Sequence, residues 1–239
     1  MKVLIMCPAY NEEMTVGQVV KKVNELYPDY DLIVIDDGST DSTVAKAKEA
    51  GASVISLPFH TGGTAAMLTA YLFALRKEYD FLVKIDADGQ HKPEDVARLL
   101  KPLWDYEADI SVGSRYLMMN GEEKDSAVKI GGRVFSSFIV NYFSKGTKIT
   151  DITSGFRAWN KKALDTIVPI YLNERMLPDD SVLWITETLI AVRKGLKIRE
   201  VPIEVLPRLY GESKSYSRYK MLLFPLRLLI TLIEVLLGR

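Results

Sequence analysis

Short apolar runs alternate with helix-period patterns through the first hundred residues, and three of those runs end in carboxylates. Together these features predict an α/β fold, a mainly parallel sheet flanked by helices, with right-handed crossovers. The first run, Lys2–Cys7, follows Met1 and stops at Pro8, so it reads as a buried strand; no signal-peptide pattern precedes it. Val16, Val19, Val20 and Val23 then recur at helical spacing. Leu32–Ile35 is the second strand. Ser39-Thr40-Asp41-Ser42 caps a helix over Thr43–Ala50. Ser53–Leu57 is the third strand, Thr64–Leu75 an Ala- and Leu-rich helix, and Phe81–Ile85 the fourth strand.

Beyond residue 100 the pattern loosens. Ile110–Ser114 and Phe156–Asn160 read as strands, Val128–Phe143 and Ser181–Lys194 as helices. Lys197–Leu206 is a β-rich stretch broken by Pro202, followed by a polar loop over Pro207–Ser217 and an apolar end. Neither a repeat nor a low-complexity linker interrupts the chain.

At 239 residues, 48% hydrophobic and 26% charged, the chain can bury a sizeable core, which excludes a disordered or collagen-like protein. A single cysteine, Cys7, excludes a disulfide framework and fits a cytosolic setting. Lys+Arg and Asp+Glu balance at 31 each, without the basic excess of a nucleic-acid binder. The balance hides a division. Residues 1–100 carry 10 basic and 15 acidic side chains and the remainder 21 and 16, so the halves sit at −5 and +5.

In parallel α/β sheets ligands bind at the C-terminal ends of the strands. Here those ends read Pro8-Ala9-Tyr10-Asn11-Glu12-Glu13, Asp36-Asp37-Gly38-Ser39-Thr40-Asp41 and Asp86-Ala87-Asp88-Gly89-Gln90-His91. Asp36–Asp41 also suits a plain turn and helix cap. Asp86 and Asp88 repel each other unless a cation or hydrogen-bond donors compensate, and a hard divalent ion fits that need. A site for a metal-bound phosphate compound follows. With neither GxGxxG nor GxxxxGK[ST] present, dinucleotide and P-loop readings lose their support. His60-Thr61-Gly62-Gly63-Thr64 is a tight turn whose backbone could touch a ligand.

These three motifs, in this order and spacing, resemble the family 2 glycosyltransferases of GT-A fold. Gly113-Ser114-Arg115, Ser154-Gly155-Phe156-Arg157, Val201-Pro202-Ile203, Arg208 and Gly211-Glu212-Ser213-Lys214 extend the resemblance to the polyprenyl-phosphate (dolichyl-phosphate) mannose synthase branch. It covers roughly residues 1–215, taken as the GT-A domain, with 216–239 an apolar or amphipathic C-terminal helix. The resemblance implies a nucleotide-sugar donor, GDP-mannose or UDP-glucose, held through Mg²⁺ or Mn²⁺. Pro8, Tyr10 and Glu12 would line the nucleoside pocket with Asp37 near the base or ribose. Asp86, Ala87, Asp88 and Gln90 would form the metal and diphosphate site, with Asp86, Asp88 and Gln90 as metal ligands. Arg115, Arg208 and Lys214 would face the phosphates and stabilise the leaving diphosphate.

A hydroxyl acceptor needs a general base, for which Asp179, Asp180 and Glu187 are the candidates; a lipid phosphate does not. The QxxRW motif of sugar-polymer synthases is missing, which favours polyprenyl phosphate as acceptor. The expected catalytic residues are therefore Asp88, Arg115 and Glu187. The 60–64 turn departs from the Asn-x-Gly-x-Gly often found there, so the donor stays open. A UDP-sugar transferase with a non-lipid acceptor and a non-catalytic nucleotide-sugar-binding subunit are the alternatives. A phospho-aspartate enzyme is disfavoured, because its DxDx[TV] nucleophile follows the first strand.

The apolar end is too short to span a bilayer: Pro225–Leu237 reaches about 20 Å as a helix, against the ~20 apolar residues a span needs. Lys220, Arg227, Thr231 and Glu234 share one helical stripe. That suits a helix in the membrane interface, with Arg218 and Lys220 near lipid phosphates on the cytoplasmic face. Docking on the domain, or pairing in a homo-oligomer, are the other readings.

Overall fold

Alternation with period two in the first strand explains how the molecule is layered. In β1 (Val3–Ala9), Leu4 and Met6 enter one core while Val3, Ile5, Cys7 and Ala9 enter the other. A strand buried on both faces reads as a continuous apolar run, as β1 does. The computed structural model describes residues 1–118, 137, 141–142, 148–173, 178–210 and 218–237.

The sheet has seven strands in the order β3-β2-β1-β4-β6-β5-β7. The remaining strands are β2 (Asp31–Asp36), β3 (Ser53–Ser56), β4 (Phe81–Lys84), β5 (Ile110–Ser114), β6 (Arg157–Asn160) and β7 (Ile198–Pro202). All pair in parallel except β6, which runs antiparallel to both β4 and β5. Val83 near the end of β4 faces Ala158 near the start of β6, and Val112 of β5 faces Arg157. The turn leading into β6 therefore lies on the rim where β4 and β5 finish.

Helices cover both faces. Val16, Val19, Val20 and Val23 of α1 (Val16–Leu26), with Val96, Leu99, Leu100 and Leu103 of α4 (Val96–Trp104), fill one core. The other core lies under α3 (Gly63–Arg76), α5 (Lys161–Asn173), α6 (Leu183–Arg193) and α7 (Arg218–Leu237). The short α2 (Thr43–Glu49) is capped not by Ser42 but by Asp41, whose Oδ1 accepts the Thr43 amide at 3.0 Å and the Thr43 hydroxyl at 2.5 Å.

The strands match their expected positions to within two residues, apart from the edges of the Lys197–Leu206 stretch. Helices α4 and α5 were not legible: each contains a proline, Pro102 and Pro169, and the cost of a proline inside a helix is offset here by buried Leu and Ile contacts. The helix expected over Val128–Phe143 lies almost wholly outside the described residues, as does the 215/216 boundary. Among the described residues no helix is long and apolar enough to cross a membrane.

Helix α7 departs from the sequence pattern. Its Arg227 turns inward to pair with Asp179 at 2.6 Å, and Thr231 is buried beside Leu228 and Val235. Leu226, Leu229, Ile230 and Ile233 form the exposed row instead. A counter-charge on the domain draws Arg227 inward, while Glu234 of the same stripe stays exposed.

Candidate active site

The ends of β1, β2 and β4 bring the three acidic motifs to one rim, and each carboxylate there meets a specific partner. In a buried apolar strand Lys84 stands out; its ammonium pairs with Asp86 Oδ1 and lies 5.4 Å from the Trp184 ring. Burial alone would raise the Asp86 carboxyl, but Lys84 brings it down to about 2. The Asp86 amide donates to His91 Nδ1 at 3.2 Å, and His91 stacks on Phe156. Burial holds His91 down at about 4, so the ring is neutral and carries its proton on Nε2.

Asp88 is different. Its Oδ1 accepts the Gln90 amide at 3.0 Å, yet burial, and then the charge of Asp86, push its carboxyl up. Among the described residues its positive partner is Arg208, whose Nη2 lies 3.6 Å from Asp88 Oδ2 and 2.6 Å from Glu12 Oε1. One guanidinium thus bridges the ends of β1 and β4 from 196 residues away. The strand-like segment that delivers it is pinned to the same turn: the Leu206 amide donates to Gln90 O at 2.9 Å, the Leu209 amide to Asp88 O at 3.3 Å, and Gln90 Nε2 to Leu206 O at 3.3 Å. Gly89 makes this close approach possible. At φ +76° it occupies the left-handed region, and a Cβ there would sit 2.3 Å from Leu209 Cδ1. Ala87, between the two carboxylates, is buried.

At the end of β2 the rim is built around Asp37. Its Oδ1 accepts the Thr61 amide at 2.8 Å and the Thr61 hydroxyl at 2.7 Å; its Oδ2 accepts the Gly62 amide at 2.8 Å and pairs with His60 Nδ1 at 2.7 Å. The His60 ring stacks on Tyr10, 3.8 Å between centroids and 15° between planes. Pro8, half-buried, precedes Tyr10 at the end of β1.

Across the rim, Arg115 follows β5 and is gripped by buried Asp151: Nε to Oδ2 at 2.8 Å and Nη2 to Oδ1 at 3.0 Å. Asp151 is itself fixed from the neighbouring strand. Glu200 of β7 accepts the Asp151 amide at 2.7 Å and the Thr150 amide and hydroxyl at 2.9 and 2.8 Å. Sequence reasoning missed Lys84, His60, Asp151 and Glu200. Lys84 alone left a signal, a charge inside an apolar strand two residues before an aspartate.

Each of the three candidate bases holds a contact within the fold. Glu187 lies within α6, fully buried: Oε1 accepts Trp159 Nε1 at 3.0 Å and faces Arg157 Nη1 at 3.4 Å, while Oε2 accepts the Tyr71 hydroxyl. Burial pushes its carboxyl up and the Arg157 guanidinium down, each against the pull of the other. Such a group is closed to solvent and its oxygens are engaged inside the fold. Asp180 caps α3, accepting the Thr64 amide at 2.8 Å, and Asp179 holds Arg227. Lys214 lies outside the described residues. No group of three or more His, Cys, Asp or Glu side chains among the described residues is arranged to hold a metal. A cation at Asp88 would therefore draw on Asp86, Gln90 and the phosphates of its ligand.

The profile of the family described as "Glycosyl transferase family 2" matches residues 4–168. The chain belongs to this family. It is a glycosyltransferase, and its relatives include polyprenyl-phosphate sugar transferases. It is 31% identical over 223 residues to the polyprenol monophosphomannose synthase of Mycolicibacterium smegmatis, covering 89% of this chain and 80% of that one. To the UDP-N-acetylglucosamine–dolichyl-phosphate N-acetylglucosaminyltransferase of Methanococcus voltae it is 29% identical over 231 residues, 89% of each chain. Among solved structures, glucosyl-3-phosphoglycerate synthase from Mycobacterium tuberculosis, in complex with Mn²⁺, UDP and glucosyl-3-phosphoglycerate, superposes with a TM-score of 0.73 at 20% identity, over 98% of this chain and 79% of that one. That likeness shows the fold, GT-A.

Proposed function

We propose that this family 2 glycosyltransferase moves a hexosyl group, mannosyl or glucosyl, from a nucleoside diphosphate sugar to a polyprenyl phosphate, inverting the anomeric carbon and depending on Mg²⁺ or Mn²⁺. One observation carries the choice of acceptor. Glu187, Asp179 and Asp180, the carboxylates that could strip a proton from a hydroxyl acceptor, are all engaged in contacts of the fold itself. A phosphate oxygen is already ionised near neutral pH and needs no base. The relatives named for polyprenol and dolichyl-phosphate transfer support the same class of acceptor.

In the reaction an acceptor phosphate oxygen attacks the anomeric carbon while its bond to the diphosphate breaks. Pro8, Tyr10 and Glu12 border the nucleoside, with Asp37 near the base or ribose. Asp88, with Asp86 and Gln90, would hold the metal; the oxygen donors suit a hard cation, and the raised Asp88 carboxyl is one whose charge lacks full compensation. When bound, the metal supplies positive charge to the departing diphosphate. Lys84 keeps Asp86 ionised, so the rim presents fixed negative charge at neutral pH. Arg208 leaves Glu12 and Asp88 and turns to the diphosphate, joined by Lys214. Arg115, oriented by Asp151, meets the acceptor phosphate, and its preset fork avoids reorganisation during transfer. The exposed row Leu226, Leu229, Ile230 and Ile233 supports a helix lying on the cytoplasmic membrane face, where a lipid acceptor arrives.

Radiolabelled GDP-mannose, UDP-glucose and UDP-N-acetylglucosamine, each incubated with the chain, Mg²⁺ and undecaprenyl phosphate vesicles, test the proposal. Label should pass into the organic phase with one donor and only with metal. Label that stays aqueous with every donor overturns it.

A further inference from the structure

We infer that His60 selects the donor's nucleobase, accepting a ring N–H of the uracil or guanine type and disfavouring cytosine and adenine. The inference rests on the nucleotide-sugar reading and deepens it.

Its starting point is that Asp37 has nothing left to offer a base. The side chain is 4% exposed, and a carboxylate has about four acceptor positions. Four donors from residues 60–62 occupy them: the Thr61 amide and hydroxyl, the Gly62 amide and His60 Nδ1. Asp37 is the anchor of the loop. Gly38 shows how closely that loop is seated: at φ +71°, a Cβ would lie 2.5 Å from the Phe59 carbonyl carbon and 2.6 Å from the His60 nitrogen. No side chain fits between the Asp37-Gly38 turn and the chain crossing it.

The anchoring fixes the chemistry of the imidazole. Ionised Asp37 can only accept, so the contact at 2.7 Å puts the hydrogen on Nδ1. In the uncharged ring Nε2 is then a lone-pair acceptor, and it makes no hydrogen bond to the described residues. The ring is 51% exposed and lies flat on Tyr10, which leaves its edge available beside the nucleoside pocket. Uracil N3 and guanine N1 carry hydrogens and can donate to Nε2. Cytosine N3 and adenine N1 present lone pairs and cannot; their amino groups donate only from a position displaced from that ring nitrogen. All four bases can stack on an aromatic ring, so stacking supplies affinity and the edge supplies the choice.

Calorimetric titration of the full chain with UDP, GDP, CDP and ADP in Mn²⁺ tests this. UDP or GDP should bind about tenfold tighter than CDP and ADP, one hydrogen bond's worth. His60→Phe keeps the stack on Tyr10 and removes the acceptor, so the preference should collapse while CDP and ADP binding holds. Equal binding of all four by the wild type, or a preference that survives in His60→Phe, overturns the inference and leaves the nucleotide-sugar reading standing. No binding of any nucleotide by the wild type overturns both.

Discussion

Replacing Glu187 separates a structural carboxylate from a catalytic one. Glu187→Ala removes the counter-charge of Arg157 and the acceptor of two further donors, Tyr71 O–H and Trp159 Nε1–H, all within a fully buried cluster. Arg157 keeps its bonds to the carbonyls of Ser154 at 2.8 Å and Ile152 at 2.9 Å and to Thr188 Oγ1 at 3.0 Å, so it stays in place but becomes an uncompensated buried charge. Removing one partner of such a pair costs about 3–5 kcal/mol. For a chain of this size each kcal/mol lowers Tm by about 2–4 °C, so a fall of ~6–20 °C is expected by differential scanning calorimetry. Glu187→Gln keeps the shape and an acceptor for Trp159 and should fall at the low end of that range. Transfer assayed well below the transition should persist in both variants. An unchanged Tm combined with a loss of transfer of about 10²-fold or more would return Glu187 to the role of general base and refute the structural assignment.

Asp88→Asn should lower metal-dependent transfer by about 10²-fold or more without lowering Tm, since the carboxyl is raised and gains little from its surroundings; kcat and Tm measured on one preparation check it. Asp151→Asn breaks the charged grip on Arg115 and should reduce kcat while nucleotide affinity, read by calorimetry, stays within about twofold. The burial of His91 carries a pH signature. Its folded value of about 4 lies below the ordinary 6.5, so the unfolded chain binds the extra proton between those values. The stability this neutral ring contributes is complete above about 6.5 and is lost as pH falls toward 4, about 3 kcal/mol in all. Asp86, Lys84, Arg115 and Asp151 act on the ring, and His91→Gln should flatten this slope in denaturant titrations run in EDTA. Leu229→Asp with Ile233→Asp should abolish co-sedimentation with anionic vesicles and leave the fold intact, because both side chains are exposed.

Strands β1 and β2 were readable because they are buried on both faces, so each appears as a nearly unbroken apolar run ending in its candidate site residues. Asp86, Asp88, Glu12 and Asp37 were visible for that reason: spacing along the chain and position on the rim are the same thing at a strand's end. What stayed hidden depends on partners far away in sequence. Nothing near Glu187 announces Tyr71, 116 residues earlier, and nothing near Arg208 announces Glu12. Asp37 reads equally well as a cap, a base contact or a loop anchor until residues 60–62 are seen to converge on it. The reversal of β6 was equally silent, because a short apolar run states its burial and not its direction.

That reversed strand also bears on which part of the chain the sheet constrains. Because β6 begins where β5 ends, the chain between Ser114 and Arg157 leaves and returns at the same edge of the sheet. Its two ends are fixed by strand pairing and by Glu200 of β7, whatever is threaded between them. Residues can be added or deleted there without shifting the register of any strand and without disturbing the half of the rim that carries Asp37, Asp86 and Asp88. The topology thus separates the rim into two parts, one whose carboxylates are held in place by strand register and one reached through a connection whose length that register does not set.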